Sequence, residues 1–323
     1  MKAFLLGAGA SRGTFAFDAF PVPVAREFGK TLAALDPCWK QNYPALLKTI
    51  EHLRLEPAEW PLEPVWTCID YYAKLQPVLP LQEPWEDASG QIKKALLLVY
   101  GGRCDKEAGQ ADDNSTIADL FRSKLQAGDI LISFNYDTIT ERVAQKCGHQ
   151  LAGAPHSRSE SVMLAKPHGS TSWIIDLKSH SVTWKSPDGS PLVQSLTASD
   201  VDCRREPLLL GAVPIKSELI REVQESCGVP GVFDAISVQW RAVVEAVRDA
   251  EAIFVVGYSF PPEDQYGRFL VKEGLRLRTG KKLKIELFEA ENKAAERARE
   301  IVSVFGDWVQ DLVFRGPVKP RIA

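Results

Sequence analysis

Three short stretches of this chain gather side chains that can orient a polar ligand or move a proton. In Ser-Phe-Asn-Tyr-Asp-Thr (133–138) the amide of Asn135 sits two positions from the carboxylate of Asp137. In Lys-Pro-His-Gly-Ser (166–170) His168 supplies an imidazole, which near neutral pH can accept a proton. An Asn amide carries both donors and an acceptor, so it can hold a water or a hydroxyl. A carboxylate can orient a partner or stabilise a developing positive charge. The third stretch, Gly7-Ala8-Gly9-Ala10-Ser11, is almost bare backbone. Glycine permits close approach, and unpaired N–H groups at the mouth of a helix suit phosphate. Each residue also has a plain structural reading. Asp137 or Thr138 could cap the following helix, Thr138 and Glu141 having capping-box spacing. Asn135 and His168 could satisfy backbone groups in turns.

Such residues need strands to carry them to one place. Apolar runs recur at 2–7, 129–135, 161–166, 206–212, 252–259 and 283–289, mostly continuous in character. Strands buried on both faces look like this and belong mainly to parallel sheets covered by helices. Helical patterns lie between several of them, which predicts an α/β fold: an open, doubly wound, mainly parallel Rossmann-like sheet. Residues 23–127 break the rhythm with helical candidates and prolines, and read as a mainly helical insertion after the first strand. The core is then 1–22 and 128–323. The insertion is expected to lie over the ligand edge of the sheet and limit access to it. A second insertion, about 174–205, reads as a small hairpin or flap around Ser-Pro-Asp-Gly-Ser-Pro. The three polar stretches then fall at carboxyl ends of parallel strands, the edge where open α/β sheets bind ligands. Gly-Tyr-Ser-Phe-Pro-Pro-Glu-Asp-Gln (257–265) and Phe-Glu-Ala-Glu-Asn (288–292) close two further strands.

Composition narrows the partners. The chain has 323 residues and a net charge of −3, so no global field draws it to nucleic acid or an anionic membrane. The basic stretch 276–284 reads as a solvated helix end and turn. No apolar run approaches the roughly 20 residues needed to span a bilayer. The opening Met-Lys-Ala-Phe-Leu-Leu has too short an apolar part for a signal peptide and reads as a buried strand. Six cysteines without a C-x-x-C pair predict free thiols in a reducing cytoplasm, and no metal-ligand spacing is present. The ordinary dinucleotide fingerprint is incomplete. Arg12 stands where its third glycine belongs, with Gly13 one residue late, and no second strand ends in an acidic residue about 20 positions on. A hydride-transferring dehydrogenase is therefore a poor fit.

Taken together, Gly7-Ala8-Gly9-Ala10-Ser11, Asn135-Tyr136-Asp137, His168-Gly169 and Gly257-Tyr258-Ser259 resemble the ordered motif set of the sirtuin-like superfamily. The match is nearer to its prokaryotic NAD-hydrolysing branch, as in Thoeris-type antiphage effectors, than to the protein deacylases. The second motif reads Phe-Asn-Tyr-Asp rather than Gln-Asn-Ile-Asp, and the deacylases' zinc ribbon with two C-x-x-C pairs is missing. The resemblance implies an NAD glycohydrolase with NAD as substrate and no metal. It implies that Gly7, Ala8, Gly9 and Ser11 approach the pyrophosphate. Asn135 and Asp137 would line the nicotinamide and its ribose, and His168 would face the ribose hydroxyls and anomeric carbon. Gly257 and Ser259 would contact the adenosine-side ribose-phosphate, and Glu289 would accept from the adenosine ribose. Homo-oligomerisation and a separate activating protein or nucleotide signal are expected on the same ground. The alternatives are a sensor that holds NAD or ADP-ribose without turnover and, ranked last, an NAD-dependent deacylase.

Overall fold

A computed structural model describes residues 1–12, 27–75, 85–101, 115–155, 160–176, 178–185, 190, 192, 196, 205–210, 229, 231–262, 264–289 and 291–316. Its strands, in chain order, are β1 (Lys2–Leu6), β2 (Ile130–Ser133), β3 (Leu151–Gly153), β4 (Val162–Ala165), β5 (Gly169–Asp176), β6 (Ser181–Thr183), β7 (Arg205–Leu209), β8 (Ala252–Val256), β9 (Leu283–Phe288) and β10 (Val309–Phe314). Seven of them form one all-parallel sheet in the order β10-β9-β8-β1-β2-β4-β3. The chain therefore builds outward from β1 to one side, then returns to build from β8 to the other. The reversal between β1 and β8 is a topological switch point.

The helices are α1 (Ala8–Arg12), α2 (Phe28–Leu35), α3 (Trp39–Asn42), α4 (Pro44–His52), α5 (Leu62–Leu75), α6 (Trp85–Leu96), α7 (Thr116–Lys124), α8 (Ile139–Lys146), α9 (Val232–Asp249), α10 (Gln265–Arg276) and α11 (Ala294–Phe305). Alternation along β1 explains how they sort. Phe4 and Leu6 face one side of the sheet, where they join Phe254, Val256 and the apolar residues of α2 to α8. Ala3 and Leu5 face the other, with Ile132, Val255, Ile285 and the apolar stripes of α9 to α11. Phe4 stacks on Phe254 at 4.6 Å between ring centres and meets Phe121 of α7 edge-on at 6.2 Å. Both faces are thus covered, which is why these strands read as continuous apolar runs. Helix α9 shows its stripe at Val232, Ala235, Ile236, Gln239, Trp240, Val243 and Val247, spaced three and four apart.

Two strand readings need correction. The run 206–212 was expected in the parallel sheet. Instead β7 pairs antiparallel with β5, which also pairs with β6, in a separate three-stranded sheet. An apolar run alone does not reveal which sheet buries it. Strands β3 and β10 were not anticipated. One has three residues, and the other, Val-Gln-Asp-Leu-Val-Phe, is a half-polar edge strand. The β5–β6 hairpin begins at Gly169, ahead of the flap expected at about 174–205, and β6 falls within it; of Ser-Pro-Asp-Gly-Ser-Pro, only Ser190 is among the described residues. Cys38, Cys68 and Cys147 are free thiols, and Cys104, Cys203 and Cys227 lie outside the described residues. Among the described residues no helix is long and apolar enough to cross a membrane.

Candidate functional site

Because the sheet is all parallel, five strand ends open on one edge. They deliver Gly7–Ser11 after β1, Asn135 and Asp137 after β2, His168 after β4, Gly257 and Ser259 after β8, and Glu289 after β9. At the switch point the two glycine stretches touch. Gly7 N–H donates to the Val256 carbonyl at 3.0 Å, Gly9 N–H to the Gly257 carbonyl at 3.1 Å, and Ala10 N–H to the Gly7 carbonyl at 2.8 Å. A Cβ on Gly9 would lie 2.8 Å from the Gly257 Cα, and one on Gly257, at φ +58°, 2.4 Å from the Ala10 nitrogen. The glycines are thus required by the chain's approach to itself. Gly9→Val is expected to lower stability without any ligand by about 1–3 kcal/mol, as overpacking does. Thermal unfolding of the apoprotein checks this, and an unchanged midpoint would refute it.

Behind that contact runs a buried hydrogen-bond chain. Asn135 Nδ2 donates to the Gly7 carbonyl at 2.9 Å and to Ser11 Oγ at 2.8 Å. A carbonyl only accepts, so the Asn135 NH₂ must face it. Ser11 in turn donates to Asp137 Oδ1 at 2.9 Å, which also accepts from Ile139 N–H at 3.0 Å. Ser11, Asn135 and Asp137 are all buried. Burial pushes the Asp137 carboxyl up from 3.8 to about 6, against the opposing pull of Lys166. At neutral pH it is mostly ionised.

The sign of that shift gives a pH prediction. A raised carboxyl binds its proton more tightly folded than unfolded. Its stabilising contribution is complete below about pH 4 and is lost as pH rises through 6. Asp137→Asn cannot ionise and lacks this dependence. Relative to wild type it should gain on the order of 3 kcal/mol between pH 4 and neutrality. Urea unfolding of both proteins across that range measures the difference. A constant difference would contradict the shift.

Beneath the site lies a residue pair that the motif reading passed over. Lys166 and Glu141, both buried, form an ion pair, and Lys166 Nζ also donates to the Asp137 carbonyl. Thr140 Oγ1 donates to the other Glu141 oxygen at 2.9 Å. The capping box expected of Thr138 and Glu141 is therefore not formed. Thr138 is the N-cap of α8 without a side-chain cap bond, and Glu141 turns instead to the lysine charge. Helix α9 braces the same segment: Gln239 Oε1 accepts from Lys166 N–H at 3.0 Å, and Trp240 Nε1 donates to the Pro167 carbonyl at 3.0 Å.

Those braces set His168. Its carbonyl accepts from Leu210 N–H at 2.9 Å, and its ring lies against Phe134 and Tyr136, at 5.4 and 6.1 Å between centres. Asn135 lies between these two aromatics in sequence, so the β2 end that carries it also packs on the His168 ring. His168 Nε2 is 3.1 Å from each carboxylate oxygen of Asp264. Asp264 also accepts from Tyr258 O–H at 2.7 Å and, as the N-cap of α10, from Gly267 N–H at 2.9 Å. Burial first, then the Asp264 charge, holds the Tyr258 phenol well above its ordinary range, so it remains a donor. Its ring stacks on Phe134 at 4.0 Å. Asp264 belongs to the quoted 257–265 stretch, but the sequence reading assigns it no role.

The remaining assigned residues sit further along the edge. Glu289 pairs with Arg297 of α11 at 3.3 Å, and Arg297 also donates to the Ser259 carbonyl. Next to Ser259, Phe260 is fully buried at φ +48°, with Arg268 donating to its carbonyl at 2.7 Å. That conformation costs a bulky residue on the order of 1–3 kcal/mol. From the helical layer, Trp66 and Tyr100 approach the Tyr136 ring at 5.7 and 6.3 Å, so the layer reaches the edge beside Asn135.

An open cleft of about 550 Å³ lies elsewhere, at the amino-terminal edge of the sheet, among Arg248, Arg278, Lys281, Lys282 and Lys284. Its residues include none of the strand-end motifs. Arg278 there donates to the carbonyls of Lys281 and Arg248, a structural role. The convergent polar groups, a strained residue and the switch point all mark the opposite edge instead. No protein-family model matches the chain, and a comparison with curated proteins finds no match.

Proposed function

We propose that the protein is an NAD glycohydrolase, cleaving NAD to nicotinamide and ADP-ribose. The observation that supports the reading is that one edge of the sheet carries both the buried Asn135–Ser11–Asp137 chain and His168, whose ring packs on Phe134 and Tyr136 at either side of Asn135 in sequence. In the reaction the nicotinamide–ribose bond breaks with its electron pair going to nicotinamide, which leaves neutral. The ribose carbon becomes an oxocarbenium-like cation, a water adds to it, and the water's proton passes to His168. Asp137, mostly ionised at neutral pH, offers negative charge to the cation. Asn135 has its NH₂ committed to the protein, so its carbonyl oxygen is the acceptor for a ribose hydroxyl or the water. On the family resemblance, the enzyme is a regulated, NAD-depleting antiphage effector of the cytoplasm that works as a homo-oligomer.

A second reading has an observation of its own. Ser11 and the Asn135 NH₂ are spent on the scaffold, as in a site that holds a nucleotide without turning it over. Incubating purified protein with NAD and following free nicotinamide separates the two. Release supports the hydrolase. Tight NAD binding without release, at every concentration and with candidate activators, supports the sensor.

A further inference from the structure

We propose that Asp264 is the positioning residue for His168, holding its imidazole as the Nε2–H tautomer so that the proton-accepting lone pair lies on Nδ1. The tautomer rests on geometry alone; its catalytic consequence rests on the NAD-cleaving reading. Both Asp264 oxygens face donors: Oδ1 takes Gly267 N–H, Oδ2 takes Tyr258 O–H, and His168 Nε2 lies 3.1 Å from each. A carboxylate so placed accepts only, so the ring nitrogen facing it must carry a hydrogen. The positive end of α10 favours the ionised carboxylate. Asp264 is held by its own helix, by Tyr258 from the end of β8 and by His168 from the end of β4, so its direction is set by three elements. This arrangement orients a general base through a group that never touches the substrate.

Asp264→Asn separates positioning from capping. The Asn oxygen can still cap α10, but its NH₂ can turn to Nε2, which then must present a lone pair and leave the hydrogen on Nδ1. The tautomer is read by ¹⁵N NMR of histidine-labelled protein at a pH where the ring is neutral, the His168 signals being assigned by their loss in His168→Gln. The expected spectrum has a protonated Nε2 and a bare Nδ1 in wild type, shifted toward Nδ1–H in Asp264→Asn. A wild-type ring protonated on Nδ1 overturns the proposal, whether or not the variant folds, and so does an unchanged tautomer in a folded Asp264→Asn. In the NAD assay the variant should lose turnover by about 10²–10⁴-fold, with NAD affinity within a few-fold of wild type. Full turnover in the variant also overturns the proposal. A wild type that does not cleave NAD overturns the hydrolase reading instead, and the tautomer is still decided by the spectrum.

Discussion

If the protein cleaves NAD as proposed, His168→Ala is expected to release nicotinamide about 10²–10⁴-fold more slowly than the wild type, the range that a general acid–base group contributes. NAD affinity should change far less, because the proposed role of His168 is to accept a proton rather than to grip the dinucleotide. Stability should fall as well, since the buried ring packs on Phe134 and Tyr136 and its Nε2 faces the buried Asp264 carboxylate, although the backbone of the turn keeps its bonds to Gln239, Trp240 and Leu210. Turnover, binding and thermal unfolding on one preparation test all three. Wild-type turnover in a folded His168→Ala would end the catalytic assignment. Asn135→Ala should slow turnover to a similar degree but is the less clean variant. It removes two buried hydrogen bonds that tie β2 to the glycine turn, so it should also unfold earlier.

Lys166→Met destabilises the protein by about 3–5 kcal/mol, because it strands the buried Glu141 carboxylate without its counter-charge. The Asp137 carbonyl loses a donor in the same step. Replacing both partners, Lys166→Met with Glu141→Leu, removes the stranded charge and should restore most of the loss, as replacing a buried pair by apolar groups often does. Urea unfolding of the wild type, the single variant and the double variant measures the coupling. A single variant within about 1 kcal/mol of wild type would show that the pair carries little, against the usual cost of breaking one. In the single variant the Asp137 carboxyl should also titrate higher, because the lysine charge is what pulls it down.

The parts legible in the sequence are those governed by local pattern. Continuous apolar runs announced β1, β2, β4, β8 and β9, because each is covered on both faces. Asn135, Asp137 and His168 could be placed on one edge because each follows such a run directly. β10 escaped notice because an edge strand carries Gln310 and Asp311 where a central one would carry apolar residues. Asp264 and Lys166 escaped for a different reason. Their partners lie 96 and 25 residues away, and no spacing rule spans such distances. Glu141 stood at correct capping distance from Thr138, yet an opposite charge from another strand outweighs a backbone N–H as a partner for a buried carboxylate.

The central place of β1 has a consequence for the making of the protein. During synthesis β1 receives one neighbour, β2, well over a hundred residues later, and the other, β8, later still: Met1 and Glu251, hydrogen-bonded beside that pairing, are 250 residues apart. At roughly 5–20 residues per second, that interval is about 12–50 s of synthesis. Throughout it the glycine turn after β1 lacks Gly257, and His168 lacks Asp264. A nascent chain therefore has no assembled site until Asp264 has been translated, so if the protein consumes NAD as proposed, a cell making it is not exposed to activity from unfinished copies.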